Sequence, residues 1–111
     1  MKEKVYISGP MKGYINLNKE SFENAFQYLY SIGYHPISPV DIGNNISFAY
    51  DNWDNMNEEE KYDAYLKEDI KYLMECKYIY MLDDWEKSKG ATFEKYCADM
   101  VNIKQLNNKI V

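Results

Sequence analysis

The 111-residue chain contains no arginine: all 13 of its basic side chains apart from the single histidine are lysines, against 18 acids, for a net charge of −5. A broad basic face able to neutralise the phosphates of duplex nucleic acid is therefore not expected. Any anion site must use lysine, hydroxyls and backbone N–H groups rather than the bidentate fork of a guanidinium. Only 2 cysteines are present, and they sit in otherwise regular segments, so free thiols in a reducing compartment are expected rather than a disulfide scaffold. Long apolar runs are also missing. Nothing approaches the ~18 residues of a membrane span, and no signal peptide is read before the first strand-like run. No zinc-ligand spacing, internal repeat or low-complexity tract occurs. The expectation is one cytoplasmic domain spanning residues 1–111, without cofactor or metal.

What the chain does have is aromatic surface. Tyrosine occupies 12 positions, suited to half-buried packing with a wet hydroxyl, to an interface or to a base-binding pocket. Val5-Tyr6-Ile7-Ser8 has strand composition and ends at the turn signal Gly9-Pro10. A polar loop from Met11 to about Asn18 precedes a helix over Lys19 to Ser31, whose Phe22, Ala25, Phe26 and Leu29 share one face, with Gly33 at the C-terminal cap. Tyr34 to Ile37 reads as a short strand, placed at a sheet edge by Pro36 and closed by Pro39. Residues 40–56 read as irregular, and a loop that long is usually functional or mobile. A helix from about Asn57 to Glu75 starts on the acidic run Glu58-Glu59-Glu60, a solvated helix start favoured by the macrodipole. A strand over Lys77 to Leu82, a loop over Asp83 to Ser88 and a helix from about Lys89 to Val101 follow, and the tail from Asn108 to Val111 offers a last strand through Ile110 and Val111.

Alternating strands and helices predict an α/β fold: a three-layer, doubly wound (flavodoxin-like or Rossmann-like) domain with a short, mostly parallel sheet of four to five strands. Ligands of such sheets bind beyond the carboxyl ends of the strands. That rule selects the loops Ser8 to Asn18, Pro39 to Asn55 and Asp83 to Ser88.

Two acids interrupt apolar helix stripes. Asp69 falls on the face expected to hold Tyr62, Tyr65, Leu66, Ile70 and Leu73. Glu94 falls on the face expected to hold Gly90, Ala91, Cys97, Ala98 and Val101. An ionised carboxylate on such a face costs several kcal/mol unless paired or solvated by a cleft. Each acid alone has a plain structural alternative, a place at the edge of the stripe with access to water. Together they flank one strand, and paired carboxylates are what cleavage of a glycosidic bond uses, one as nucleophile and one handling protons. Composition does not choose between that chemistry and a structural explanation.

Three pieces occur in order: Val5-Tyr6-Ile7-Ser8-Gly9-Pro10-Met11-Lys12-Gly13, then Lys67-Glu68-Asp69-Ile70, then Trp85-Glu86-Lys87-Ser88-Lys89-Gly90-Ala91-Thr92-Phe93-Glu94. Together they resemble the nucleoside 2-deoxyribosyltransferase-like superfamily, and within it the small DUF4406 proteins common in bacteriophages and bacteria. The resemblance implies that Glu94 is a nucleophile at C1′ of a (deoxy)ribose, that Asp69 acts as acid/base or orients base and sugar, that Tyr6 holds the nucleophile or sugar, and that Ser88 contacts a 5′-phosphate. Ser8, Gly9, Pro10, Met11, Lys12, Gly13, Trp85 and Gly90 complete the implied substrate-binding set. Water or a second base would resolve the glycosyl-enzyme. A nucleotide or nucleoside partner, a homodimer or larger homo-oligomer, and the host cytoplasm of an infecting phage are further implications. The alternative function is a non-catalytic binder of a nucleotide-derived signal.

Several of these residues have structural alternatives. Tyr6 can be a packing residue, Ser88 a helix N-cap, Gly9 and Gly13 turn residues, Lys12 a solvated cation, and Trp85 an interface rather than a stacking residue. His35 is given no role, and Cys97 reads as a small core residue, with no histidine placed to activate it.

Overall fold

The computed structural model describes residues 2–106. Its four strands are β1 (Lys4–Ser8), β2 (His35–Ile37), β3 (Tyr78–Met81) and β4 (Lys104–Gln105), and its four α-helices are α1 (Lys19–Ser31), α2 (Pro39–Asn44), α3 (Glu58–Leu73) and α4 (Lys89–Met100). The sheet order is β2-β1-β3-β4 with every pair parallel, so the fold is the expected three-layer α/β arrangement. The tail strand expected at 108–111 lies outside the described residues; β4 forms just before it, pairing Tyr78 with Lys104 and Ile79 with Gln105. β2 lies at an edge, consistent with Pro36 lacking an N–H for a second neighbour.

The chain runs from β1 outward to β2, then crosses back over β1 to β3. That reversal puts successive crossover helices on opposite faces. The strand period of two sorts β1 accordingly. Val5 and Ile7 bury against Phe22, Ala25 and Leu29 of α1, whereas Tyr6 joins Leu73 of α3 and Ala91 and Ala98 of α4 on the other face. Ser8, two residues after Tyr6, is also fully buried.

Helix ends are set locally. Asn57 and Glu60 form a reciprocal capping box at the start of α3 (2.9 and 2.8 Å). Two helices stop in the same way. After α1, Gly33 is left-handed (φ 100°), and Tyr34 N–H donates to Leu29 C=O at 3.0 Å. After α4, Asn102 takes that role (φ 61°), and Ile103 N–H donates to Ala98 C=O at 2.8 Å.

Three expectations are corrected. Residues 40–56 are not an unstructured loop: Ser38 caps α2, Pro39 occupies its first turn, and short 3-10 turns follow at Ile46–Ala49 and Trp53–Asn55. Tyr62 and Tyr65 are exposed rather than inward. The reason is length. The 16 residues of α3 span about 24 Å, while strands of this size span about 15 Å, so the first turns of α3 overhang the carboxyl end of the sheet. There Tyr65 packs edge-on against Trp53, ring centroids 5.5 Å apart. Val101 is also exposed, because α4 ends at Met100 and the left-handed turn at Asn102 delivers Ile103 to the core instead.

Candidate active site at the carboxyl end of the sheet

The site grows from one strand and two helices. Tyr6 and Ser8 point from β1 to the same face, and Glu94 descends onto them from the second turn of α4. The Tyr6 hydroxyl donates to Glu94 Oε2 at 2.8 Å, and the Ser8 hydroxyl donates to Oε1 at 2.6 Å. Glu94 is only 5% exposed. Burial pushes its carboxyl up to about 7, while the Ser8 and Tyr6 hydrogen bonds pull the other way.

Asp69 reaches the same place from α3. Burial, then the charge of Glu94, push it up to about 8, opposed by the Tyr6 hydroxyl. Its Oδ1 is buried without a hydrogen-bond partner among the described residues. Tyr6 is itself pushed well above the usual phenol range, by burial first and then by both carboxylates, so it remains a neutral donor. Burial thus raises both acids above the ordinary carboxylate range, and the charge of Glu94 adds to the rise of Asp69.

The other implied residues divide. Ser88 is the N-cap of α4, its Oγ accepting from Ala91 N–H at 3.1 Å; its own proton is still available to a ligand. Gly90 is half-buried, and a Cβ there would lie 3.5 Å from the Tyr62 hydroxyl. Gly9 is needed for packing, since a Cβ would fall within 2.7 Å of Leu82. Gly13 is needed for its backbone, with φ 87° in the turn closed by Tyr14 N–H on Met11 C=O at 3.2 Å. Pro10 is buried, and its carbonyl accepts from Asn18 Nδ2 at 2.8 Å. Met11 packs on the α1 side of the core, away from the carboxylates, and Lys12 is exposed. Trp85 is half-buried against the Tyr6 side of the core, and Trp53 is half-buried against Tyr65, so neither indole is an exposed platform. Both cysteines are free, with thiols pushed up by burial, which makes them inert.

The sequence reading placed Ser8 among substrate contacts and missed its bond to Glu94. The signal was present: with a period of two, whatever face Tyr6 occupies, Ser8 shares. Two further features carried no such signal. After the Gly13 turn, Asn16, Leu17 and Asn18 are all left-handed (φ 50°, 56° and 63°), costly for a leucine. Two surface cavities, of about 430 and 380 Å³, lie away from the acids: one is lined by Phe26, Tyr30 and His35, the other by Tyr28, Tyr80 and Asp83, and neither by Glu94 or Asp69.

Among the described residues no group of three or more histidine, cysteine or acidic side chains is arranged to hold a metal ion, and no helix is long and apolar enough to cross a membrane. No curated protein matches the sequence. The profile of the family described as "Domain of unknown function (DUF4406)" matches residues 3–106, nearly the whole chain, and the protein belongs to that family.

Proposed function

We propose that this domain cleaves or exchanges the N-glycosidic bond of a nucleotide or deoxynucleoside. The observation that carries the reading is the coupled pair: a buried Glu94 held only by neutral hydroxyls, beside an Asp69 whose Oδ1 is orphaned. The resemblance of the surrounding motifs to nucleoside 2-deoxyribosyltransferases supports it.

In this reading the two acids take different roles, Glu94 as nucleophile and Asp69 as acid/base. Burial raises both carboxyls; the charge of Glu94 raises Asp69 further, which suits Asp69 to hold a proton, while the Ser8 and Tyr6 hydroxyls favour the ionised form of Glu94. Glu94 attacks C1′, the C1′–N bond breaks with its electron pair going to the base, and Asp69 supplies the proton the departing base needs. Water, or a second base, then attacks C1′ and releases Glu94, with Asp69 accepting the proton. Tyr6 and Ser8 fix both oxygens of the nucleophile in one orientation. A 5′-phosphate would be received by the free proton of Ser88, the N-terminus of α4 and Lys12. Access requires motion above Glu94.

The second reading is a binder that retains a nucleotide-derived ligand intact. One experiment separates the two. The protein is mixed with a panel of nucleosides and nucleoside 5′-monophosphates, and free base is measured by chromatography. Catalysis predicts release that disappears in Glu94→Gln. Ligand bound with its glycosidic bond intact supports the binder. Release that survives in Glu94→Gln removes Glu94 from the mechanism.

A further inference from the structure

Three aromatic side chains carry a lysine of the chain's own. Lys2 Nζ lies 4.4 Å from the centroid of the Tyr30 ring, Lys61 Nζ 5.4 Å from that of Trp53 and Lys77 Nζ 5.7 Å from that of Tyr78, all within reach of a cation–π contact. The pair Tyr28 and Tyr80 differs. Their ring centroids are 6.2 Å apart with planes tilted by 43°, and both line the cavity of about 380 Å³ between α1 and the carboxyl end of β3. The exposed acids Asp83 and Asp84 line the same cavity, with the amides of Asn18 and Asn24. Among the described residues that line it there is no lysine or histidine.

We infer that this cavity binds a small aliphatic primary amine, with its ammonium group at Asp83 and Asp84 and its alkyl chain against the rings of Tyr28 and Tyr80. Size, charge and donor count agree on that class. The volume suits a small molecule. The Asp83 carboxylate has no ion-pair partner among the described residues. Asp84 accepts from the Tyr14 hydroxyl at 3.3 Å and lies 3.6 Å from Lys87 Nζ, but that lysine is 74% exposed and solvent screens the pair. The lining is therefore negative, beside rings whose faces attract cations. Burial, then Tyr28 and the charge of Asp83, push the Tyr80 phenol up, so it stays neutral and the carboxylate acts on the same ring. A primary ammonium brings three N–H donors. Two carboxylates can accept them, and so can Asn18 Oδ1, since Asn18 Nδ2 already donates to the Pro10 carbonyl at 2.8 Å. A quaternary ammonium would leave those acceptors unused, and a neutral polyol would gain nothing from the two charges. The inference does not rest on the glycosidic reading. Tyr80 and Leu82 belong to the α1 side of the sheet, and Tyr6, which holds Glu94, belongs to the other.

Titration of the full chain with 1,4-diaminobutane tests it, followed by amide nuclear magnetic resonance shifts at about 0.15 M salt. Saturable shifts at Tyr28, Tyr80, Asp83 and Asp84 are expected, with a dissociation constant of roughly 0.1–1 mM. Asp83→Asn is expected to weaken binding about fivefold or more. Tyr28→Leu is expected to weaken it about threefold, whereas Tyr28→Phe, which keeps the ring, retains it. Asp63→Asn removes the same charge from an exposed position on α3 and is expected to leave the affinity within about twofold. The neutral analogue 1,4-butanediol is expected to give no saturable shift. Absence of saturation with the diamine overturns the inference. So does equal binding of the diol, or an Asp63→Asn loss as large as that of Asp83→Asn, which would reduce the effect to overall charge. Tighter binding of Nα-acetyl-lysine amide than of the diamine would overturn the assignment to a free amine and place the ammonium on a protein side chain.

Discussion

β1 presents two faces that differ by one residue of phase and by everything else. Val5 and Ile7 enter a dry apolar cluster with α1; Tyr6 and Ser8 enter a polar network with Glu94 beside Asp69. Both faces are equally inaccessible, since all four residues are 0% exposed. The α1 face is what a domain of this size needs to stay folded. The α3–α4 face spends burial on keeping carboxylates near their neutral forms, which no stability requirement explains. The contrast separates a face that holds the fold together from the face on which the proposed chemistry rests.

The contrast is broken most severely by removing the proposed nucleophile, Glu94. Glu94→Gln is expected to reduce base release by about 10³-fold or more, measured by chromatography, with the urea unfolding midpoint little changed or raised because a buried charge has been removed. The matched change on the other face, Ile7→Ala, is expected to lower stability by roughly 2–5 kcal/mol, read from the urea midpoint, without altering the pH dependence of activity.

A pH series sharpens the same comparison. Both carboxyls are raised in the folded protein, to about 8 for Asp69 and about 7 for Glu94. The folded state therefore binds more protons than the unfolded state between the ordinary carboxyl range and these values, and stability falls as pH rises through that window. From pH 5.5 to 8.5 a loss of about a few kcal/mol is expected. Asp69→Asn is expected to flatten most of the slope; Ile7→Ala is expected to keep it. Equal slopes in wild type and Asp69→Asn would show that the pair does not control the titration.

The smallest effect expected is that of Ser8→Ala. It removes the 2.6 Å hydrogen bond that holds the Glu94 carboxyl down, so the acid limb of the activity profile moves to higher pH, by about one unit. Stability is expected to change by no more than about 1–2 kcal/mol. An acid limb that does not move would mean that Ser8 only packs.

Much of this was legible in the residues. The positions of β1, β2, β3, α1, α3 and α4 followed from period and turn chemistry, and the edge position of β2 from Pro36, whereas β4 at Lys104–Gln105 was not read from the sequence. Glu94 and Asp69 stood out because an acid in an apolar stripe is costly wherever it lies. What escaped had physical reasons too. Tyr62 and Tyr65 share the periodicity of Leu73, but periodicity does not say how far a helix extends past its sheet. Val101 continued the α4 stripe on paper, yet the left-handed turn at Asn102, which a glycine would have announced, handed its place to Ile103. α2 was hidden because Asn44 and Asn45 read as loop, although Ser38-Pro39 is a regular helix start. The left-handed run through Leu17 had no signal at all, since leucine is a poor occupant of that conformation.

The most direct test is a titration of the side-chain carboxyl carbons by carbon-13 nuclear magnetic resonance, assigned through Asp69→Asn and Glu94→Gln. Two resonances titrating near neutrality, with apparent values around 7 and 8, and a fall in the Asp69 value when Glu94 is replaced, are what the coupled pair predicts. Both groups titrating in the ordinary range near 4, each indifferent to loss of the other, would contradict it.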